Sequence, residues 1–568
     1  MTAHQGNSLV GKVPPAIALV LLVGSIVLGL IFLVAVGFGY LPALGGNALS
    51  AEPFRLLLSD ERVLPSCIAT VIAGVAGTFA AVATAFALAV TCDQTGTTSA
   101  GWLQRLALAV LAVPHAALAL GLVFVLTPSG WLMRGLQAVL GVWPQPPDWE
   151  IVPVETGLAL AVALFLKETP FLFFAIVTSL RQLRSERQLV AARALGYGDS
   201  MAWIKLVLPR VYPLVRFPIL AVLTYSLSVV DMSLILGPTT PSTLPILILR
   251  WASDPDLGQR FVAAAAALLQ ITLVVGAILV WWLAERLTIV LTRPWLSAGD
   301  RHVSASLALI GRSALRFVAL AGVTLAALSV GALLLWSLAQ AWRYPALLPE
   351  AIDLASWRRT IAALEGPLLD SLILAVVTTL LALLLSIACL QHERVLRTDV
   401  VRSAEKWLFL PLLVPEICFL LGLQALLLAI GLNGTWPAVV WMHLLFVFPY
   451  VFLTLKEPWR AFDHRYETVG LALGQAGWRV LLRVKLPMLR GPLSWAAAIG
   501  CTISLSLYLP TVQGGEGRIT TLATEAVALG AGGDRRIMGV FGLVQTLVAG
   551  LFFVVALRLA RPRRWRLS

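Results

Sequence analysis

The chain has 568 residues, 59% of them apolar and only 12% charged, against roughly 25% charged residues in an ordinary soluble domain. Its apolar runs reach about 20 residues or more, enough to cross a bilayer as helices, which excludes a soluble globular protein. The net charge of +13 does not point to nucleic acid, because most Lys and Arg fall in alternate loops, the asymmetry that the positive-inside rule produces.

The first apolar run, Pro14 to about Tyr40, exceeds the roughly 7–15 residues of a signal-peptide core and reads as a retained helix. Spans are predicted near 15–40, 65–91, 105–127, 154–180, 217–237 and 260–290, then near 314–340, 367–391, 405–430, 436–456, 492–512 and 536–559. The basic loops 181–216, 286–316, 392–406 and 456–491 and the tail from Arg558 to Arg566 share one face with the N-terminus. That face is expected to be cytoplasmic. Loops on the other face carry Asp60, Glu61, Asp148, Glu150, Asp254, Asp256, Glu350 and Asp353. Cys67, Cys92, Cys389, Cys418 and Cys501 sit in or at the ends of apolar runs without a CxxC pair. They read as packing residues, not as a disulfide framework or zinc site.

The two sets of spans are a repeat. An offset of 278 maps Gly196 to Gly474, Leu208-Pro209 to Leu486-Pro487, Ser226-Leu227-Ser228 to Ser504-Leu505-Ser506 and Thr243-Leu244 to Thr521-Leu522. Upstream, an offset of 301 maps Pro114 and Gly121-Leu122 to Pro415 and Gly422-Leu423. The 23-residue difference is an extra Trp/Pro-rich loop in the first half, around Gly141 to Pro153. An even number of spans per half gives parallel repeats about an axis along the membrane normal. The expected fold is all-α and polytopic, with twelve transmembrane helices in two six-helix halves. The expected domains are 1–290 with docking loop 181–216, a linker 291–313, and 314–568 with docking loop 457–491 and a basic tail.

The most informative repeat is polar. Residues 191–209 read AARALGYGDSMAWIKLVLP and residues 469–487 read VGLALGQAGWRVLLRVKLP, with 13 residues from Gly to Pro in each. Glycine permits a helix stop and a sharp turn. Proline is able to close one helix and open the next. Each loop is therefore expected to present a short amphipathic helix across the membrane surface. A lone loop of this kind would suit anionic lipid; two at matched positions favour a protein partner with two equivalent sockets.

These loops resemble the EAA loop of type I ABC importer permeases, which reads approximately EAA-x-x-LG, a spacer, then LP. The resemblance rests on Ala191, Ala192, Leu195, Gly196, Leu208 and Pro209, and on Leu473, Gly474, Leu486 and Pro487, and implies an ATPase-coupling role for these and for Glu467 and Gly470. Val190 and Thr468 occupy the acid position, with Glu467 one residue earlier, and Val469-Gly470 replace the paired alanines. The whole chain resembles two fused permease halves, as in the thiamine and iron(III) permeases. The stretch from Tyr508 to Gly539 is most similar to the YnjC-type fused permeases. The resemblance implies that the loops dock on a separate homodimeric ABC ATPase, that a soluble extracytoplasmic binding protein delivers a small solute, and that transport runs by alternating access. ATP would be used by the partner and no cofactor is expected on this chain, which has no GxxxxGK[ST] phosphate loop.

Ionisable residues within spans are candidates for the path, because burial in lipid is costly. These are His115, Glu168, Asp231 and Glu416. Lys167 and Glu168 are expected to lie on a helix bent at Pro170. Asp231 follows the repeated Ser-Leu-Ser, and its counterpart is Leu509. His115 and Glu416 follow the repeated prolines and are expected to approach each other across the path. His443 reads as a satisfied core histidine.

A major-facilitator-type secondary transporter is the alternative, since it too has two parallel six-helix halves. Gly532-Gly533-Asp534-Arg535-Arg536 echoes its charged motif, but here that run precedes the last helix, on the outer face. A membrane enzyme is disfavoured by the lack of HExxH, GxSxG or a clustered metal-ligand set.

Overall fold

The computed structural model describes residue 14 and residues 16–94, 97–148, 157–301, 305–396, 407–408, 410–530 and 532–560. Glu150, much of the basic loop 392–406 and the tail beyond residue 560 lie outside them. Among the described residues, ten helices are long and apolar enough to cross a membrane: Ala16–Gly37, Val63–Val90, His115–Leu140, Leu158–Leu183, Asp199–Ser228, Gln259–Ser297, Phe317–Leu338, Ala355–Glu393, Trp436–Arg460 and Arg535–Ala560. Arg490–Ser506 and Leu509–Gly515, bent by 65°, make up to an eleventh span. The shorter apolar helix Glu416–Ala429 stands at the remaining expected position.

Proline explains where expected spans divide. The span predicted near 105–127 is two helices, Thr97–Ala112 and His115–Leu126, parted before Pro114. The span near 405–430 likewise has a 3-10 turn at Leu410–Leu412 and starts its helix after Pro415. Proline lacks the N–H an inner helical residue donates and restricts the residue before it. The linker expected at 291–313 is mostly helical: Gln259–Ser297 and Ala305–Leu338 both run into it. A short antiparallel pair, Ala339–Ala341 with Ala351–Ile352, departs from the all-helical expectation on the acidic face.

The repeat is explicit in the backbone. Leu244–Ala252 and Leu522–Gly530 are the same helix at the 278 offset. Thr70 Oγ1 accepts the first amide of one, from Leu244, at 2.8 Å, and Ser371 Oγ accepts that of the other, from Leu522, at 2.8 Å. Thr70 and Ser371 are related by the 301 offset. Each satisfies a helix-start N–H with no intrahelical acceptor. Both halves also break at equivalent points, between Ser228 and Asp231 and between Ser506 and Leu509. The carbonyl of Leu227 accepts from Gln270 Nε2 at 2.9 Å, and that of Leu505 from Gln545 Nε2 at 3.2 Å.

The halves are interlaced. The first helix of half one packs on Glu416–Ala429 of half two, and Ala305–Leu338 of half two packs on His115–Leu126 of half one. Glycines permit both crossings: a Cβ on Gly422 would stand 1.7 Å from the Gly29 carbonyl oxygen, and one on Gly121 2.5 Å from that of Ser329. On the acidic face, buried Arg134 of half one donates to the carbonyls of Arg343 and Ala346 in half two at 2.8 and 2.7 Å. Exposed apolar side chains such as Ile31, Phe79, Val280, Phe317 and Leu551 suit a lipid-facing belt, since lipid carries no penalty for them.

Candidate functional site

Two regions carry the candidate residues. The first is the pair of Gly–Pro loops on the basic face. Helix Ser185–Ala194 carries Ala191, exposed, and Ala192, buried. It ends at Gly196, whose φ is +84°. The amide of Gly196 donates to Arg193 O at 2.9 Å and that of Tyr197 to Ala192 O at 3.0 Å. In the second loop, Gly474 (φ +77°) donates to Leu471 O at 3.0 Å, and Gln475 to Gly470 O at 3.2 Å. This paired bonding is the Schellman stop, which favours glycine. Leu195 and Leu473 project from it, 66% and 75% exposed.

The departure at Gly470 has a packing cause. Its missing Cβ would stand 2.9 Å from Val480 Cγ2. In the first loop the equivalent pair is Ala192 and Ala202, both buried in one apolar cluster. A glycine facing a valine replaces an alanine facing an alanine.

One expectation is corrected. Leu208-Pro209 does not separate a surface helix from the next span. Asp199–Ala202, a π-helical turn Trp203–Val207 and helix Leu208–Ser228 follow without interruption. The second loop repeats the π turn at Leu481–Lys485, at the same 278 offset, but its helix stops at Met488 and the span starts anew at Arg490. The amides of Leu208 and Leu486 donate five residues back, to Trp203 O and Leu481 O. An inner proline clashes with the carbonyl four residues back and removes one donor; the wider π turn accommodates both consequences. Pro209 and Pro487, both exposed, therefore set a bulge rather than a break.

The loops are braced differently. Lys205 donates to Ala298 O at 2.8 Å and lies 4.8 Å from the Trp295 ring. The Gly198 amide donates to Arg301 O at 2.9 Å. The segment joining the halves thus straps the first loop. In the second, the fully buried Lys485 pairs with Glu467 at 3.0 Å and lies 4.1 Å from the Trp459 ring. Glu467 is turned inward to this lysine, not outward.

The second region lies inside the membrane domain. His115 Nε2 lies 3.8 Å from Glu168 Oε1, and the His115 ring is 5.3 Å from that of Tyr225. His115 thus meets a carboxylate of its own half. Glu416 instead lies in electrostatic reach of Asp231, across the halves. Tyr225 is within reach of Asp231, Glu168, Glu416 and Tyr450, and Tyr508 of Asp231. Lys167 donates to the carbonyls of Leu111 and Val113, at the helix end opened by Pro114, where a cation is favoured. The helix Leu158–Leu183 continues through Pro170.

Tyr225, Tyr450 and Tyr508 escape the sequence reading because tyrosine is common in membrane proteins. Their available signal is position: Tyr225 and Tyr508 flank the repeated Ser-Leu-Ser, and Tyr450 follows Pro449. His443 is fully buried, with Nδ1 2.9 Å from Ser504 Oγ and Nε2 2.9 Å from Thr511 Oγ1. Thr511 donates to Leu507 O, so it accepts from Nε2–H, and Nδ1 accepts from Ser504. His443 thus splints the bend at Leu507–Tyr508, the core role expected of it.

Comparison with known proteins agrees with this geometry. The family described as "Binding-protein-dependent transport system inner membrane component" matches residues 85–289. The chain is 29% identical over 456 residues to the inner membrane ABC transporter permease protein YnjC of Escherichia coli (strain K12), covering 80% of each chain. With the two-half, multi-span architecture, these likenesses support a type I ABC transporter permease resembling YnjC.

Proposed function

We propose that the chain is the permease of an importer, moving a small solute handed over by an extracytoplasmic binding protein. A homodimeric ATPase on the basic, cytoplasmic face would drive alternating access, using ATP that this chain does not bind. The N- and C-termini would share that face. Residues 1–290 and 314–568 would form the two permease domains around the linker 291–313. Ala191, Ala192, Leu195, Gly196, Leu208 and Pro209, with Gly470, Leu473, Gly474, Leu486 and Pro487, would build the two docking surfaces. Glu467 would act from within, through Lys485. His115, Glu168, Asp231 and Glu416 would line the path.

The observation that carries this reading is the duplicated Schellman stop and π turn on one face, leading directly into a span in the first loop and past a one-residue turn at Leu489 in the second. A push on the first loop travels into the membrane through a continuous helix. The test is co-purification of an ABC ATPase with the chain, repeated with Gly196→Ala and Gly474→Ala. Alanine at positive φ is strained by about 1–2 kcal/mol, so ATPase capture should fall. Solute uptake by vesicles that lack ATPase and are energised by an ion gradient would instead support a secondary transporter.

A further inference from the structure

We propose that a crevice on the acidic face holds one zwitterionic phospholipid, its phosphate on Arg260 and its primary ammonium on Glu516. The crevice lies between Ala16–Gly37 and Gln259–Ser297 of half one and Glu416–Ala429 of half two. Its volume of about 480 Å3 falls within the roughly 300–1,000 Å3 of ligand clefts. None of His115, Glu168, Asp231 and Glu416 lines it.

The repeat shows why this place is open. Gln270 and Gln545 hold equivalent carbonyls and stand 275 residues apart, so Arg260 corresponds to Arg535. The crossings of Gly29 on Gly422 and of Ser329 on Gly121 align the first helices of the halves at an offset of 300, so Val36 corresponds to Trp336. The 301 offset pairs Ala425 with Phe124 and Ile430 with Ser129. At the counterpart place, Trp336 lies 5.7 Å from Phe124 and 5.4 Å from the Arg535 guanidinium, which donates to Ser129 Oγ at 3.2 Å. Space and arginine are both satisfied there. At the crevice, Val36 and Ala425 replace the two rings and Ile430 replaces the hydroxyl. Arg260 Nε is buried and meets no acceptor among the described residues. An unmet buried donor on a charged group is costly, and this one calls for an anion.

Glu516 supplies the opposite sign on the same lining. Its Oε1 accepts from Gln424 Nε2 at 3.3 Å and its Oε2 from Asn433 Nδ2 at 2.8 Å. These contacts orient the carboxylate and leave about two of its roughly four lone-pair sites free. Glu516 stands at φ +47°, just past the helix Leu509–Gly515. Glycine is the usual residue at such a left-handed helix end. A glutamate held there against backbone strain points to a contact made by its side chain.

Depth selects a lipid as the occupant. Val36, Arg260 and Leu428 each stand one residue from the acidic-face end of their helix. Ala264 lies about 6 Å deeper than Arg260, and Leu421 about 10 Å deeper than Leu428, at 1.5 Å per residue. Phe38, Ile430 and Leu432, beside the mouth in the chain, are exposed. Charge at the membrane surface with an apolar wall beneath it is the order of groups in a phospholipid. Guanidinium takes a phosphate through paired hydrogen bonds. A primary ammonium is able to donate to Glu516, whereas a trimethylammonium has no N–H.

The test is native mass spectrometry of the full-length chain in detergent, titrated with dioleoyl phosphatidylethanolamine, phosphatidylcholine or phosphatidylglycerol. One tightly held phosphatidylethanolamine is expected, retained ahead of the other two lipids. Arg260→Gln should weaken it about tenfold or more, the effect of one charge-assisted contact. Glu516→Gln should cancel the preference over phosphatidylcholine. Val36→Trp combined with Ala425→Phe, which copies the filled half, should abolish the adduct. Arg55→Gln, at an exposed arginine on the same face, should leave it unchanged. Should the filled double variant fail to assemble, Arg260→Gln and Glu516→Gln decide. Equal retention of the three lipids would overturn the proposal, as would an adduct that survives Arg260→Gln. Soluble phosphoethanolamine binding as tightly as the lipid would also overturn it, because the occupant would then be a free zwitterion.

Discussion

The ammonium of Lys485 lies 3.0 Å from Glu467 Oε1, with the lysine fully buried and Gln391 Oε1 3.1 Å from the same nitrogen. The pair ties the helix Arg465–Ala472 to the π turn Leu481–Lys485, so it fixes the second Gly–Pro loop as one body. Removing one partner of a buried pair leaves an uncompensated charge and costs about 3–5 kcal/mol, whereas replacing both is often nearly neutral. Lys485→Met is therefore expected to lower the melting temperature of the solubilised protein sharply. Lys485→Met with Glu467→Gln should recover most of the loss. If the double variant is as unstable as the single, the ion pair is not what holds the loop.

The prolines of the π turns give a second prediction. Pro209→Ala and Pro487→Ala restore an amide donor and remove the clash four residues back. The π turn is then free to relax to an α turn. A one-residue change of register rotates the docking segment by about 100° relative to the span. Both variants should remain folded and lose ATPase capture. Unchanged capture would show that the bulge does not set the presentation of the loop.

Close helix crossings give a third. Gly422→Ala would place a methyl against the backbone of Gly29, and Gly121→Ala against that of Ser329. Backbone is unable to yield as a flexible side chain does, so a loss of about 1–3 kcal/mol or more is expected. A Cβ on Gly276, also within a helix, meets nothing within 4 Å. Gly276→Ala should be neutral or stabilising by up to about 1 kcal/mol. Thermal melts of the three variants decide it, and equal stability of all three would refute the interlaced crossing.

The acidic face supplies a pH prediction. Asp60 binds the Arg62 side chain with contacts of 2.9 and 2.6 Å and also accepts the Arg62 amide at 2.9 Å. The Arg62 side-chain hydrogen bonds hold the Asp60 carboxyl below its ordinary range, against the opposing effect of partial burial. A carboxyl lowered in the folded state contributes stability above its unfolded pKa of about 3.9, and the contribution fades as pH falls through the folded value. Asp60→Asn should therefore be less stable than the parent at pH 7, with the difference shrinking below about pH 4. A constant difference down to pH 2 would contradict the assignment.

Much of the architecture was legible in the sequence. Apolar runs located the spans, since only a helix satisfies its own backbone in lipid. The offsets of 278 and 301 gave the two halves, and they reappear in Thr70 and Ser371, in the π turns and in both mid-span breaks. The Gly-to-Pro spacing located the two matched loops on the basic face, because glycine and proline impose backbone geometry locally. Pairings between distant elements were decided by tertiary structure alone. His115 meets Glu168 because Lys167–Glu168 lies on the helix packed beside it. Glu467 turns inward because Lys485 is buried in reach of it. The Tyr225 ring, 5.3 Å from that of His115, has no periodicity to announce it, and only the packing of separate helices brings the two together. Sequence determined what each segment is able to be, through local backbone chemistry and lipid solubility. Packing determined which charges share a space, because that depends on which separate helices are set side by side.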